Sequence, residues 1–280
     1  MSIELPEALI VGGQMNKELR GKEIESYALA NYEKLQKATF INKRIEDFKQ
    51  LVGGRIDSVV SRGTVIRSDL DNDRNLLLAP EYGGIVRYWT DRGAAPKQAH
   101  LKLGFSDGSL LTVQLKGFGL IYMAPDDKLA DVYVYKRDFL AGVSPLEKEF
   151  TFKYFAGSLA EANKMLKLLF VGKTAVIVGF GNSAFQEIAY AAKVHPKKKS
   201  GDLDDGEKKA LYTAVKEVVD KRLKGGGKDE FVDLYGQPGR YVPLVGPNMR
   251  DKPCPRCGTT IDRISLAGGP TYFCPSCQKL

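Results

Sequence analysis

Four cysteines carry the clearest chemistry in this chain: Cys254-Pro-Arg-Cys257 and, sixteen residues further on, Cys274-Pro-Ser-Cys277. Two C-x2-C pairs at that separation match tetrahedral zinc coordination by four thiolates, with a β-hairpin between the pairs. These are all the cysteines in the protein, so no thiol is left over. A pair of disulfides is the alternative. A bridge across two residues is strained or redox-active, it needs an oxidising compartment, and no apolar signal segment starts the chain. One structural zinc ion with four cysteine ligands is therefore expected. It would supply the folding energy that so small a hairpin lacks.

A second stretch with chemical potential is Gly179-Phe-Gly-Asn182-Ser183, between an apolar segment and a helix. Two glycines let backbone amides approach an anion, the helix start offers N–H groups, and Asn182 can donate from its amide. Gly-x-Gly also occurs at many turns that bind nothing. The absent third glycine and βαβ context exclude a dinucleotide fingerprint. Basic residues follow: Lys193, Lys197, Lys198, Lys199, Lys208 and Lys209 in one stretch, with Arg240, Arg250, Lys252, Arg256 and Arg263 near the cysteines. The formal charge of +8 is compatible with nucleic acid or an anionic surface, though many proteins that bind neither share it.

The elements that must position these residues change in texture along the 280-residue chain. Residues 1–135 read mostly as short strands at 55–60, 65–70, 75–78, 85–88, 100–105 and 109–115. Asp/Asn/Gly turns separate them, as in an antiparallel sandwich or barrel. An amphipathic helix is expected over 18–37. From Ser144-Pro145 the pattern turns helical: Ser144 with Glu147 forms a capping-box signature. Further helices are expected over 158–170 and 182–193, and from Asp204 or Asp205 to Gly225-Gly226-Gly227. The expected organisation is α+β and multidomain: a β-sandwich with flanking helices (1–135), a helical domain (136–235) and a zinc hairpin (236–280). No run is long and apolar enough to span a membrane, and an intracellular monomer, cytoplasmic or nucleoid-associated, is expected.

Residues Val178 to Pro196, Val-Gly-Phe-Gly-Asn-Ser-Ala-Phe-Gln-Glu-Ile-Ala-Tyr-Ala-Ala-Lys-Val-His-Pro, strongly resemble the helix–two-turn–helix signature of the formamidopyrimidine-DNA glycosylase and endonuclease VIII family. The cysteine segment looks like that family's zinc finger, and Glu4-Leu-Pro-Glu7 matches its N-terminal motif. The three motifs stand in the family's order from residue 4 to 278. The resemblance implies a β-sandwich, a helical DNA-binding domain and a finger, with damaged or distorted duplex DNA as partner. It also implies an enzyme that flips a damaged nucleotide, cleaves its glycosidic bond and usually nicks the abasic strand.

In the family the attacking group is the α-amine of an N-terminal proline exposed by removal of Met1. An α-amine titrates near pH 8, so a useful fraction is uncharged at neutral pH. Here the motif alignment puts Ile3 at that position and Ser2 one residue further out. Ser2 would still offer a primary amine, displaced by up to about 3.5 Å of chain. Glu4 takes the place of the general acid/base, and Glu7 matches the second motif glutamate. Where the family grips a phosphate with a lysine, this chain has Thr64, with Arg62 or Arg67 as neighbouring substitutes. Tyr82 falls at a void-filling methionine, and Lys116 and Phe118 at an arginine and phenylalanine that fill the gap left by a flipped base. For Phe118 a wedge between bases and a place in the core are equally open. Gly269 replaces a phosphate-binding finger arginine, with Arg263 on the opposite arm as a substitute. Two readings follow: a divergent glycosylase with possible abasic-site lyase activity, or an inactive binder of damaged, distorted or branched DNA.

Overall fold

The computed structural model describes residues 3–172 and 175–280. The chain packs as two units, Met1–Leu140 with Gly225–Arg240, and Ala141–Lys224 with Tyr241–Leu280. The segment after the glycine triplet thus returns to the first unit, while the zinc hairpin belongs with the helical unit.

The first unit starts with helix α1 (Leu5–Leu19), where Pro6 stands in the first turn. The helix packs on the strand Ile56–Arg62, and Gly12 makes this possible because a Cβ there would lie 2.6 Å from Ser61 Oγ. The helix expected over 18–37 does not form. The chain leaves α1 at Leu19, turns at Gly21 (φ +82°), and runs into strand β1 (Ile24–Leu29) and the short α2 (Tyr32–Lys37). Ile24, Tyr27 and Ala28 suit either period; pairing of β1 with a neighbouring strand decided it, because that ladder satisfies their backbone groups.

Strands β2 (Ile56–Arg62), β3 (Val65–Leu70), β4 (Arg74–Ala79) and β8 (Leu120–Pro125) make one antiparallel sheet in the order β2-β3-β4-β8. Strands β1, β6 (Leu101–Phe105), β7 (Leu110–Gln114) and β5 (Ile85–Trp89) make the other, in the order β1-β6-β7-β5. The expected strands are therefore present, and the sandwich closes over one apolar core. Leu76 and Leu78 enter it with Ile66, Leu103, Phe105 and Leu111. Alternation sends Leu77 and Ala79 to the opposite face, where they pack with Val65, Ala124 and Leu129. That second layer leads into a single turn, α3 (Tyr133–Tyr135), and a π turn over Lys136–Leu140.

In the second unit, Ser144 N donates to Glu147 Oε2 at 2.9 Å, but the capping-box contacts close a turn rather than a helix. Helix α4 (Phe152–Ala162) begins later, with Thr151 Oγ1 accepting from Tyr154 N. The helix expected over 158–170 is interrupted: Asn163 adopts φ +38°, and α5 (Leu166–Phe170) starts anew. Helices α6 (Asn182–Ala191) and α7 (Asp205–Lys224) follow. They are tied by a fully buried ion pair, Arg222 with Glu187. Tyr241 and Leu244 N also donate to Glu187 Oε1, and Arg222 Nη2 donates to Ser183 Oγ, so no charge in the pair is left without hydrogen bonds. The chain ends in the hairpin β9 (Asp262–Leu266) and β10 (Gly269–Phe273). Its two-residue turn has positive φ at both Ala267 (+43°) and Gly268 (+81°), the geometry that matches strand twist. No helix among the described residues is long and apolar enough to cross a membrane.

Candidate active site and nucleic-acid interface

The N-terminal motif is built into the start of α1. Glu4 is its N-cap and Glu7 its third residue, and the two form a capping box in which Glu7 Oε2 accepts from Glu4 N at 3.1 Å. Both are buried, at 1% and 0% exposure. Glu7 Oε1 also accepts from Lys228 N at 3.2 Å, which ties the motif to the returning segment. Ile3 is buried in the sandwich core and its N–H donates to Glu81 O at 2.9 Å. Ser2 lies outside the described residues. Residue 3 is therefore a packed amide, and Glu4 is the first carboxylate after it.

Glu81 leads directly to Thr64. Thr64 sits in the turn between β2 and β3, and its Oγ1 lies 3.1 Å from Glu81 Oε1 and 3.0 Å from Asp138 Oδ2. Its N–H donates to the same Asp138 oxygen at 2.7 Å. Arg62 donates to the Asp138 carbonyl. Arg67, by contrast, is held by Asp69 at 2.7 Å and Tyr135 at 3.5 Å. The cation against Thr64 is Arg137, which sequence reading missed. Its Nη2 donates to Thr64 Oγ1 at 2.6 Å and to Glu81 Oε1 at 2.9 Å, and its Nε lies 2.5 Å from Asp138 Oδ1. Burial by itself would lower the pKa of this guanidinium. The Asp138 hydrogen bond and the charges of Asp138 and Glu81 outweigh it and raise the pKa above the ordinary value. The only sequence signal was Arg137-Asp138 beside each other in an otherwise aromatic segment.

The next loop carries the exposed aromatics. Tyr82 N donates to Phe118 O at 3.0 Å, and the rings meet edge-on at 6.2 Å; Phe118 also meets Phe40 at 5.9 Å. Phe118 is 65% exposed, so it is not a core residue, and Tyr82 is 49% exposed. Lys116 is exposed beside them. With Tyr82, Gly84, Glu230 and Phe231 it lines a cavity of about 350 Å³. Hydrogen bonds thus connect Ile3, Glu81, Thr64 and Arg137, and Tyr82 continues the chain from Glu81 to Phe118.

In the second unit, Gly179 takes φ +90°, where its lack of a Cβ is required, and α6 opens at Asn182. Asn182 Oδ1 is buried and has no hydrogen-bond partner among the described residues. Its amide nitrogen lies against Gly269, where a Cβ would collide with it, so any side chain at 269 would have to displace Asn182. Arg263 is exposed on β9, opposite Tyr272, and its guanidinium takes no partner among the described residues.

Lys167, also missed, is fully buried below the hairpin turn. Its Nζ donates to Leu266 O at 2.6 Å, Thr271 Oγ1 at 3.1 Å and Gly269 O at 3.4 Å. Burial lowers its pKa from 10.5 to about 8. The unfolded chain therefore holds this proton more tightly, and Lys167 contributes stability that rises between about pH 8 and 10.5. The melting temperature of the wild type, relative to Lys167→Met, is expected to climb across that interval. Parallel curves would contradict the assignment.

The four cysteine Sγ atoms lie within 4.8 Å of one another, as tetrahedral ligands around zinc must, since Zn–S bonds of about 2.3 Å place sulfurs about 3.8 Å apart. The observed separations include 4.0 Å for Cys254 and Cys277 and 3.5 Å for Cys257 and Cys274. The cluster is capable of holding one structural zinc ion, and the residues around it dock the module onto α6. Tyr190 Oη lies 3.2 Å from Cys254 Sγ, Arg256 stacks on the Tyr190 ring at 4.2 Å, Tyr272 N donates to Gln186, and Gln278 donates to Val194 O.

The fold and these sites define a β-sandwich protein with a capped N-terminal glutamate pair, a helix–two-turn–helix and a four-cysteine finger. Three family models match it: the formamidopyrimidine-DNA glycosylase N-terminal domain over residues 3–121, the H2TH domain over 141–232, and the zinc finger found in FPG and IleRS over 251–280. The formamidopyrimidine-DNA glycosylase of Streptococcus pneumoniae serotype 4 is 30% identical over 99% of this chain and 98% of that protein. Among solved structures, MutM in complex with DNA containing carbocyclic 8-oxo-G is 27% identical with a TM-score of 0.84. Lactococcus lactis Fpg with abasic-site DNA is 26% identical with a TM-score of 0.83; each likeness covers 99% of this chain and 100% of the other. The chain belongs to the formamidopyrimidine-DNA glycosylase family, whose enzymes are DNA N-glycosylases with abasic-site lyase activity.

Proposed function

We propose that this protein is a DNA-repair glycosylase that acts on a flipped, damaged nucleotide in duplex DNA and cleaves the abasic strand, as a divergent member without the proline nucleophile. The observation that carries the reading is the buried Glu4–Glu7 box at the head of α1, which holds a carboxylate next to the N-terminal residues. In this reading the nucleophile is the α-amine that removal of Met1 leaves on Ser2. Attack on C1′ displaces the base and gives a Schiff base, while Glu4 moves protons between the amine, the sugar and water. The amide of Ile3, committed to Glu81 O, takes no part as a nucleophile. Tyr82, Lys116 and Phe118 fill the space the flipped base leaves, with Phe118 free of the core and able to wedge between base pairs. Asn182, Arg62 and Arg263 hold backbone phosphates, which position the duplex without reading its sequence. Thr64 and Arg67 stand beside Arg62 on the β2–β3 hairpin and support its phosphate contact. The protein acts as an intracellular monomer.

A second reading, a binder without catalysis, is favoured by one observation, the packed and hydrogen-bonded Ile3 at the nucleophile position. Borohydride trapping on an abasic-site duplex separates the two. The enzyme reading expects a covalent adduct on the peptide that begins with Ser2, lost when the α-amine is blocked. Binding without any adduct or base release across oxidised and alkylated lesions establishes the second reading.

A further inference from the structure

The β2–β3 turn has no charge of its own at Thr64, yet a cation is built into that spot from the π turn. We infer that Arg137 replaces the lysine of the family as the group that grips a DNA phosphate beside the flipped nucleotide. This inference rests on the function proposed above.

Position is the first support: Arg137 Nη2 lies 2.6 Å from Thr64 Oγ1, although the two residues are 73 apart in sequence. Orientation is the second. Asp138, Glu81 and Thr64 take up Nε and Nη2, while Nη1 has no acceptor among the described residues. The side chain keeps 23% exposure. A guanidinium clamped along one edge presents its remaining N–H groups in a fixed plane, the arrangement that suits phosphate oxygens.

Construction is the third. Asp138 is fully buried and holds both Arg137 and the Thr64 amide. Gly63, at φ +61°, has no Cβ because that atom would fall onto the Asp138 carboxyl. The turn Lys136–Leu140 is π-helical, a distortion that recurs at functional sites. An ordinary surface ion pair contributes little stability and requires no such scaffold. Glu81 and Asp138 offset the charge of Arg137, and Arg62 adjoins the cluster through the Asp138 carbonyl. The N–H groups of Nη1 then meet the phosphate oxygens, and the guanidinium charge that neutralises the phosphate releases its counterion.

The test measures binding of the full-length, zinc-loaded protein to a duplex with one tetrahydrofuran abasic analogue, across a series of salt concentrations. Arg137→Gln should weaken binding about tenfold and reduce the slope of log K against log salt by about 0.9, the share of one phosphate contact. The double variant Thr64→Lys/Arg137→Gln, which restores a cation from the turn, should recover both. A purely structural Arg137 would lower the melting temperature without changing the slope, and adding Thr64→Lys would rescue nothing; that outcome overturns the inference. Arg137→Gln leaves Asp138 buried without its partner and can fail to fold. Arg137→Gln/Asp138→Asn removes the stranded charge, and the same slope and rescue are read on it. Wild-type protein that binds the analogue no better than plain duplex removes the proposed function and this inference together. Tight wild-type binding with an unchanged slope in the variant removes this inference alone.

Discussion

Glu4→Gln is expected to abolish base release and Schiff-base trapping while leaving affinity for an abasic-analogue duplex within a few-fold of wild type. Glutamine keeps the volume of a side chain that is 1% exposed, and its carbonyl still accepts a hydrogen bond at the head of α1. What it loses is a group that can take up and release a proton. A positioned acid/base contributes about 10²–10⁴-fold, so single-turnover rates should fall by at least that range. Thermal melting of the variant should stay near wild type, because Glu7 still accepts from the residue 4 amide. Undiminished turnover in Glu4→Gln would remove Glu4 from the chemistry and leave it only a helix cap.

Zinc removal should have the larger effect on binding. Four thiolates without their ion repel one another or re-protonate, and structural zinc contributes about 10–16 kcal/mol to folding in isolated finger peptides. The loss should not stop at the hairpin. Lys167 donates to Leu266 and Thr271, Tyr272 N donates to Gln186, Gln278 donates to Val194, and Arg256 stacks on Tyr190. Collapse of the finger therefore strips hydrogen bonds from α5 and α6 and unsettles Asn182, whose amide lies against Gly269. Chelation, with metal content verified, should reduce duplex affinity by about a hundredfold or more. It should also lower the melting temperature of the helical unit. Unchanged binding after verified metal loss would take the finger out of the DNA interface.

Much of this arrangement is legible in the sequence because it is encoded locally. The C-x2-C pairs fix their own sulfur geometry, the Gly179 turn needs glycine at φ +90°, and Asp/Gly turns punctuate strands that reappear in the sheets near their expected bounds. Ambiguity arose where local pattern suited two periods. Ile24 to Leu29 became a strand through pairing with β6, and the Ser144–Glu147 box closed a turn because the helix starts at Thr151. Helix α1 was obscured by Gly12, a residue poor for helices whose value is its close approach to Ser61.

The sequence by itself determined the zinc ligands and the order of the modules, and it shows isoleucine, threonine and glycine at positions 3, 64 and 269. Only the tertiary structure decided which side chains pack against Thr64 and Gly269. Arg137 reaches Thr64 across 73 residues and Lys167 reaches Gly269 across 102. Each is a buried or half-buried cation that takes acceptors from other elements, Arg137 from Thr64 and Glu81 and Lys167 from the hairpin. A charge of that kind is tolerable only where the fold brings its partners together, and no spacing or periodicity along the chain records which partners those are.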